Sequence, residues 1–415
     1  MMIDINDLNY LDAHEEFNLP FRKERYTANL GQLLKQWGII IGKGMFALLY
    51  FFYRGYYKQL EKYDIALLGF TGNNLRVVKP IQEKLDRRTI VFDFKNLPFR
   101  RNEFYAMLYS PLVFWNYLME TGYMKKVYAS EFMSFCRTYG WYIGANKILK
   151  RIKPQILVVS NDHIYFQRTF FRVAQTLGIK TVYVQHASVS ENFPPLEFDY
   201  AFLDGQESLD KYTFNNKICK SKIFFLGNPR FDIIKAYNFE HCVFNNKCGI
   251  AINTVDLPDK ITDLIRRLYI EIKNIKITLR AHPGSDEKFW KNFSNKNNCS
   301  FSNAKIENPF LFIAQNDFFI SGESSFHLDV ALTGKMSFYY NFTGKTIIDV
   351  YGYLKSGLTK VLPDNLTLIE YYINNCKGRT QLLQYYASNY GTSDWGKSAT
   401  LIASKLEELL NTCTT

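Results

Sequence analysis

From Asp64 onward, short apolar, β-branched runs alternate with helix-patterned segments, and this alternation restricts the fold more than any other feature of the chain. The first set of runs is Asp64–Phe70, Thr89–Phe94, Gln155–Ser160, Lys180–Val184, Asp199–Leu203 and Lys222–Leu226. Continuous hydrophobicity of this kind marks strands covered on both faces. Between them, Thr71-Gly72-Asn73-Asn74 opens a helix toward Leu85, and a helix from about Phe166 to Leu177 stops at Gly178. A long helical region rich in Tyr, Phe and Met runs to about Lys150. A polar, Asn-rich stretch from about Ala236 to Lys247 interrupts the pattern, which restarts at Cys248–Ile252. Further strands follow at Ile275–Leu279, Asp317–Ile320 and Met336–Tyr340, with helices at about Lys260–Ile272 and Ser325–Leu332. An amphipathic helix over Asp394–Leu410 ends the pattern.

Strand–helix alternation predicts an α/β chain with parallel sheets, here two doubly wound Rossmann-like domains facing a central cleft. A length of 415 residues suits two such domains. The expected division is a basic, aromatic, helical N-terminal region (1–60), a first Rossmann-like domain (61–240), a second (241–395) and a C-terminal helix (396–415). The cleft between the C-terminal strand edges is the default binding site of such sheets.

Charge narrows the partners. The net charge of +12 calls for an anionic one, whether nucleic acid, an anionic leaflet or a phosphorylated substrate. Despite 29 Tyr and 35 Phe, no RNA-binding or zinc-finger signature appears, so nucleic acid is set aside. The seven cysteines include no Cys-x-x-Cys pair, which predicts a reduced, cytoplasmic protein without a cysteine-built metal site. Met1-Met2-Ile3-Asp4 begins without the basic and apolar regions of a signal peptide.

Trp37–Tyr53 raises a membrane question. It is apolar, broken by Lys43 and two glycines, and flanked by Lys35, Arg54 and Lys58. It is short of a comfortable span of about twenty residues. Three readings stand: a buried helix, an in-plane anchor on an anionic leaflet, and a spanning helix.

Two loops carry the chemistry. Ile275–Leu279 runs into Arg280-Ala281-His282-Pro283-Gly284, and Asp317–Ile320 runs into Ser321-Gly322-Glu323-Ser324-Ser325. A cation, an imidazole and a serine-rich helix start at one sheet edge make an anion site, which points to a nucleotide mono- or diphosphate leaving group. Strand-end caps are the alternative for His282 and for the serines; for Arg280 it is a solvated strand position. Asp162 and His163 follow one strand of the first set, and His186 the next. Either Asp162 or His186 is placed to deprotonate an acceptor hydroxyl; an Asx-turn and a cleft-lining histidine are the structural alternatives. Asp256 and Asp259 lack the spacing of a metal-binding carboxylate pair, and no metal or cofactor is expected.

In chain order, Tyr183-Val184-Gln185-His186, Phe198-Asp199-Tyr200, Leu226-Gly227-Asn228-Pro229-Arg230, Arg280–Gly284 and Ser321–Ser325 resemble the GT-B transferases of bacterial surface polysaccharides. That group includes teichoic acid glycerophosphotransferases, capsular polysialyltransferases and Kdo transferases. The resemblance spans roughly Pro154–Tyr340, and Gln185-His186-Ala187 departs from the more usual His-Gly. It implies that His282 contacts the donor phosphate, that Ser324 and Ser325 bind it, that Glu323 reaches a ribose hydroxyl and that Arg230 reaches donor or acceptor charge. One of His327 and Asp329 would face the cleft. It further implies a nucleotide-activated sugar donor, CMP-linked by preference, a lipid-linked or glycan acceptor, and a place at the cytoplasmic face of the inner membrane. A non-hydrolysing UDP-sugar 2-epimerase and a non-catalytic scaffold are the rival readings.

Overall fold

The computed structural model describes residues 4–15, 26–51, 60–94, 99–237, 239, 244–375 and 379–412. Two six-stranded sheets organise them. The first holds β1 (Ile65–Leu68), β2 (Thr89–Phe92), β3 (Ile156–Val159), β4 (Lys180–Val184), β5 (Tyr200–Leu203) and β6 (Lys222–Phe225), in the order β2-β1-β3-β4-β5-β6. The second holds β7 (Lys247–Ile252), β8 (Lys276–Ala281), β9 (Ser300–Ser302), β10 (Phe318–Ser321), β11 (Met336–Tyr339) and β12 (Lys360–Val361), in the order β12-β11-β10-β7-β8-β9. Every pairing is parallel. The predicted α/β class with two doubly wound sheets is the observed one.

Each sheet reverses its winding once, at β1/β3 and at β7/β10. A crevice opens outside the C-terminal ends of the strands at such a reversal. Loop contacts across the two halves join the strand-end loops of one sheet to those of the other. Lys211 Nζ donates to the Tyr351 carbonyl at 2.7 Å, and Ser188 Oγ lies 2.6 Å from Tyr353 Oη. The two edges therefore face each other.

Helix α1 (Leu30–Phe51) packs through Leu33, Ile40 and Ala47. Its other side is exposed, so the predicted Trp37–Tyr53 segment is neither wholly buried nor a span; its last two residues lie outside the described ones. Among the described residues no helix is long and apolar enough to cross a membrane. Helix α2 (Gly72–Gln82) starts with a reciprocal cap between Thr71 and Asn74. The expected long helical region is three helices, α3 (Phe99–Met119), α4 (Gly122–Ser130) and α5 (Phe132–Ile152), with Gly122 left-handed at φ 57° where the second begins and Glu131 leaving helical geometry between the second and third. Helix α6 (Tyr165–Thr176) links β3 to β4.

In the second half, α7 (Pro258–Glu271), α8 (Pro309–Gln315) and α9 (Phe326–Ala331) cover the sheet. Helix α10 (Ser398–Asn411) returns to the first half, where Ile402, Leu406 and Leu409 share a core with Val77 and Ile81 of α2. Asp232 anchors its start by accepting from Ser398 N at 2.9 Å and Ala399 N at 2.8 Å. Part of the predicted linker, residues 238 and 240–243, lies outside the described residues.

Candidate active site

On the second sheet's edge, His282 follows β8 and is exposed. Its own N–H donates to the Ile252 carbonyl at 3.0 Å, tying the turn to β7. Pro283-Gly284 folds back so that Gly284 N donates to His282 Nδ1 at 3.0 Å. A nitrogen that accepts from an amide carries no proton, so the proton of the neutral ring sits on Nε2. Desolvation holds the imidazole below its ordinary pKa, keeping this neutral, donating form.

The other predicted donor-side residues divide between surface and scaffold. Arg280 is buried: Nη1 donates to Ser302 Oγ at 2.6 Å and Nη2 to the Glu307 carbonyl at 2.8 Å. Its guanidinium lies 5.4 Å from the Phe312 ring centroid, and burial lowers its pKa to about 10. It is therefore not the solvated strand residue of the alternative reading, and its pairing braces β8 against β9. Ser321 Oγ donates to the Ala251 carbonyl at 2.8 Å, between β10 and β7. An added Cβ on Gly322 would make only ordinary contact, 3.4 Å from Asp256 Oδ1, so the turn has room for a side chain there. Ser324 Oγ accepts from Phe326 N at 3.2 Å, whereas Ser325, at the N-cap position of α9, makes no side-chain cap bond.

Glu323, the expected ribose contact, holds backbone amides in this arrangement. Its two carboxylate oxygens accept from Asp349 N at 3.1 Å and Val350 N at 2.8 Å. Burial raises its pKa, with those two backbone donors opposing the rise. Of the pair His327 and Asp329, His327 is buried with both nitrogens engaged, Nδ1 with Ser337 Oγ at 2.9 Å and Nε2 with the Gly322 carbonyl at 3.0 Å. Desolvation pushes it down to about 4, so it stays neutral and fixes the turn after β10.

Asp329 instead receives Arg230 Nη2 at 2.8 Å. This pair spans the two halves. Arg230 follows Gly227-Asn228-Pro229, where Gly227 has φ 69° and a Cβ would meet Asn389 at 2.4 Å. Asn228 Nδ2 donates to the Gln185 carbonyl at 3.0 Å and to Asp204 Oδ2 at 3.3 Å. Arg76 and Arg280 add further positive field around Asp329, although burial still raises its pKa.

On the first sheet's edge, Asp162 is 1% exposed and both its oxygens are occupied. His163 Nδ1 lies 2.7 Å from Oδ1, and Tyr212 Oη donates to Oδ2 at 2.7 Å. Tyr212 Oη is also 3.0 Å from Tyr183 Oη. Burial alone would raise the Asp162 pKa, but the His163 and Tyr212 hydrogen bonds prevail and lower it. Of the two predicted bases, Asp162 has both oxygens engaged in this structure, by His163 and Tyr212. His186 differs: it hydrogen-bonds the Ser160 backbone, and Nδ1 has no partner among the described residues. Burial and the neighbouring His163 push its pKa down to about 3.

Sequence reasoning did not single out Tyr212 or Asp204, and gave Tyr183 no role beyond its motif. Tyr212 lies at the end of a short helix (Gln206–Tyr212), where nothing in the local sequence separates it from a core tyrosine. Among the described residues, no group of three His, Cys, Asp or Glu side chains converges to hold a metal ion.

No family model matches the chain, and no curated protein matches it. Solved structures do. One titled a putative UDP-N-acetylglucosamine 2-epimerase from Listeria monocytogenes aligns with a TM-score of 0.55 and 11% identity, covering 84% of this chain and 97% of its own. The S. aureus MnaA–UDP complex aligns at 0.51 and 12% identity, covering 84% and 96%. The wall teichoic acid polymerase TagF, in a variant soaked with CDPG, aligns at 0.49 and 11% identity, covering 96% and 100%. What the first two likenesses establish is the architecture, two Rossmann-like domains about a central cleft in the GT-B arrangement.

Proposed function

We propose that the chain is a glycosyltransferase of bacterial capsule or O-antigen-type polysaccharide synthesis. It would move a sugar from a nucleotide-activated donor, CMP-linked by preference, to a lipid-linked or glycan acceptor. One observation carries this reading: the two facing strand edges bear imidazoles of opposite hydrogen-bonding polarity. His282 keeps its proton on Nε2, because Gly284 N occupies Nδ1. His186 Nδ1, a buried atom, has no partner among the described residues, and with the Ser160 backbone holding the ring's other nitrogen it is the atom left to accept a proton.

An inverting displacement needs both. As the sugar–phosphate bond breaks, its electron pair goes to the departing phosphate oxygen, and an N–H donor there stabilises the growing charge. The acceptor hydroxyl bonds to the anomeric carbon and gives its proton to a base. His186 is a weak base in the free protein; a bound phosphate nearby raises its pKa by favouring the imidazolium. Ser324, Ser325 and Gly322 frame the donor side in this reading, with Glu323 bracing the 349–350 backbone behind them and Arg230 and Asp162 supporting the two edges. Loss of charge stabilisation and of base catalysis typically costs about 10²–10⁴ in turnover each.

The test pairs binding with turnover. Thermal shift against CMP, CDP, UDP and GDP identifies the nucleotide, since a ligand selective for the native state stabilises it. His282→Ala and His186→Ala should then retain nucleotide binding while transfer falls by about a hundredfold or more. Unchanged transfer in both would sink the assignment. The epimerase titles of the structural neighbours keep a second reading in view; interconversion of UDP-N-acetylglucosamine with its 2-epimer, without any acceptor, would favour it. A CDP shift accompanied by transfer from CDP-glycerol would select glycerophosphate transfer instead. No shift with any nucleotide would favour a scaffold.

A further inference from the structure

Helices α1 and α3 pack closely. A Cβ on Gly44 would lie 2.3 Å from Met107 Cβ, so the two backbones approach as only a glycine permits. Trp37 Nε1 donates to Ser110 Oγ at 2.8 Å, and the Trp37 and Phe114 rings stack at 4.5 Å. Helix α5 covers part of this pair through Phe132, Phe135 and Tyr139. The outer side is open and apolar: Leu49 is 73% exposed, Trp115 59% and Met119 67%, with Leu34, Met45 and Leu112 beside them.

The spacing of Leu112, Trp115 and Met119 puts them on one stripe of α3. The sequence from Phe104 to Met119 contains no charged residue, although a water-facing helix surface normally carries several. Along α1 the ionised side chains are Lys35 and Lys43, both exposed, and there is no carboxylate. In sequence the next charges are Arg54 and Lys58. An exposed apolar surface of this extent marks an interface. Its charge pattern selects the occupant. A second copy docking this face on itself would leave the lysines short of counter-charge, since α1 has no carboxylate, Glu103 of α3 is buried against Arg137, and Glu120 just past the stripe is half-buried. An anionic lipid surface supplies both halves of the match, acyl chains for the stripe and phosphates for Lys35 and Lys43.

We propose that the α1–α3 pair is a platform on which the protein lies in the plane of an anionic bilayer. Leu112, Trp115 and Met119 enter the headgroup–acyl boundary, and Lys35 and Lys43 meet the lipid phosphates. The inference rests on exposure and charge and stands independently of the transferase reading.

Vesicle co-sedimentation tests it. The protein should bind phosphatidylcholine vesicles containing phosphatidylglycerol, and bind pure phosphatidylcholine about tenfold more weakly or less. The double variant Leu112→Glu/Trp115→Glu, with an unchanged circular dichroism spectrum and melting temperature, should lose binding by about tenfold or more. If that variant misfolds, the conservative Trp115→Phe decides: brominated lipid should quench wild-type tryptophan emission and quench Trp115→Phe far less, with binding retained. Absence of binding to anionic vesicles overturns the platform, as does equal quenching in Trp115→Phe. A wild-type dimer in sedimentation velocity that Leu112→Glu/Trp115→Glu converts to monomer, without vesicle binding, assigns the face to a second copy and also overturns it.

Discussion

Arg230 and Asp329 join the two halves of the molecule through a pair at 2.8 Å, with side chains only 17% and 10% exposed. Asp329 sits on α9, behind the turn that begins Ser321-Gly322, and Arg230 follows the turn after β6. The pair therefore sets how the two strand-end edges meet. Removing one partner of a desolvated pair leaves the other charge without compensation. Arg230→Ala should destabilise the fold by about 3 kcal/mol in urea unfolding. Adding Asp329→Asn should recover part of that loss, because the stranded carboxylate is gone. A double variant whose loss equals the sum of the singles would refute the coupling.

Asp204 supplies a pH dependence. It is buried at the end of β5, its Oδ1 has no partner among the described residues, and burial pushes its pKa up to about 7. Arg230 and Asn228 oppose that rise without cancelling it. A carboxyl with a raised folded pKa stabilises the fold below its unfolded value near 4, and that contribution is lost as pH rises to about 7. Asp204→Asn mimics the protonated form. Its stability relative to the parent should grow by on the order of 1 kcal/mol per pH unit between pH 5 and 7. Above that it should level off. His186 and His327, held down to about 3 and about 4, add the opposite slope, since their contribution is lost as pH falls below about 6.5. Comparing the variant with the parent at each pH cancels that slope. A difference that does not change between pH 5 and 7 would contradict the assignment.

Glu323 illustrates what a linear reading of the chain reaches and where it stops. Strand positions were legible because burial on both faces writes a continuous apolar run: Lys180–Val184 is a strand with the predicted ends. The order of loops after the strands was legible for the same reason. Side-chain direction was not. Arg280 stands within β8 rather than past it, so its fate depends on the neighbouring β9, a strand of three residues with no pattern of its own. Glu323 bonds Asp349, 26 positions away, and Asp162 bonds not only its neighbour His163 but Tyr212, 50 positions away. No local periodicity records such pairings. The docking of α10 on the first sheet was hidden likewise, since an amphipathic face declares that it will be buried but not where.

The position of Glu323 yields its own prediction. By holding Asp349 N and Val350 N it fixes the segment whose Tyr351 carbonyl and Tyr353 hydroxyl reach Lys211 and Ser188 of the first half. Glu323→Ala should raise amide exchange across 349–353 and lower stability by about 1–3 kcal/mol, the usual cost of stranding buried donors. Nucleotide affinity should change little where the protein remains folded. Loss of nucleotide binding with unaltered exchange would instead make Glu323 a direct ligand contact.

Two glycines in long helices should respond oppositely to the same substitution. Gly38 in α1 has nothing within 4 Å of an added Cβ, whereas a Cβ on Gly140 in α5 would lie 2.1 Å from the Asn102 carbonyl oxygen. Alanine favours a helix interior over glycine by about 0.5–1 kcal/mol. At Gly38 nothing opposes this, so Gly38→Ala should raise stability by that amount. At Gly140 the contact is with backbone of α3, which has no flexible end to swing aside. Overpacking there costs about 1–3 kcal/mol and exceeds the helical gain. Gly140→Ala should therefore lower the urea midpoint while Gly38→Ala raises it. Equal shifts in the same direction would mean that α3 and α5 are packed less closely than this crossing requires.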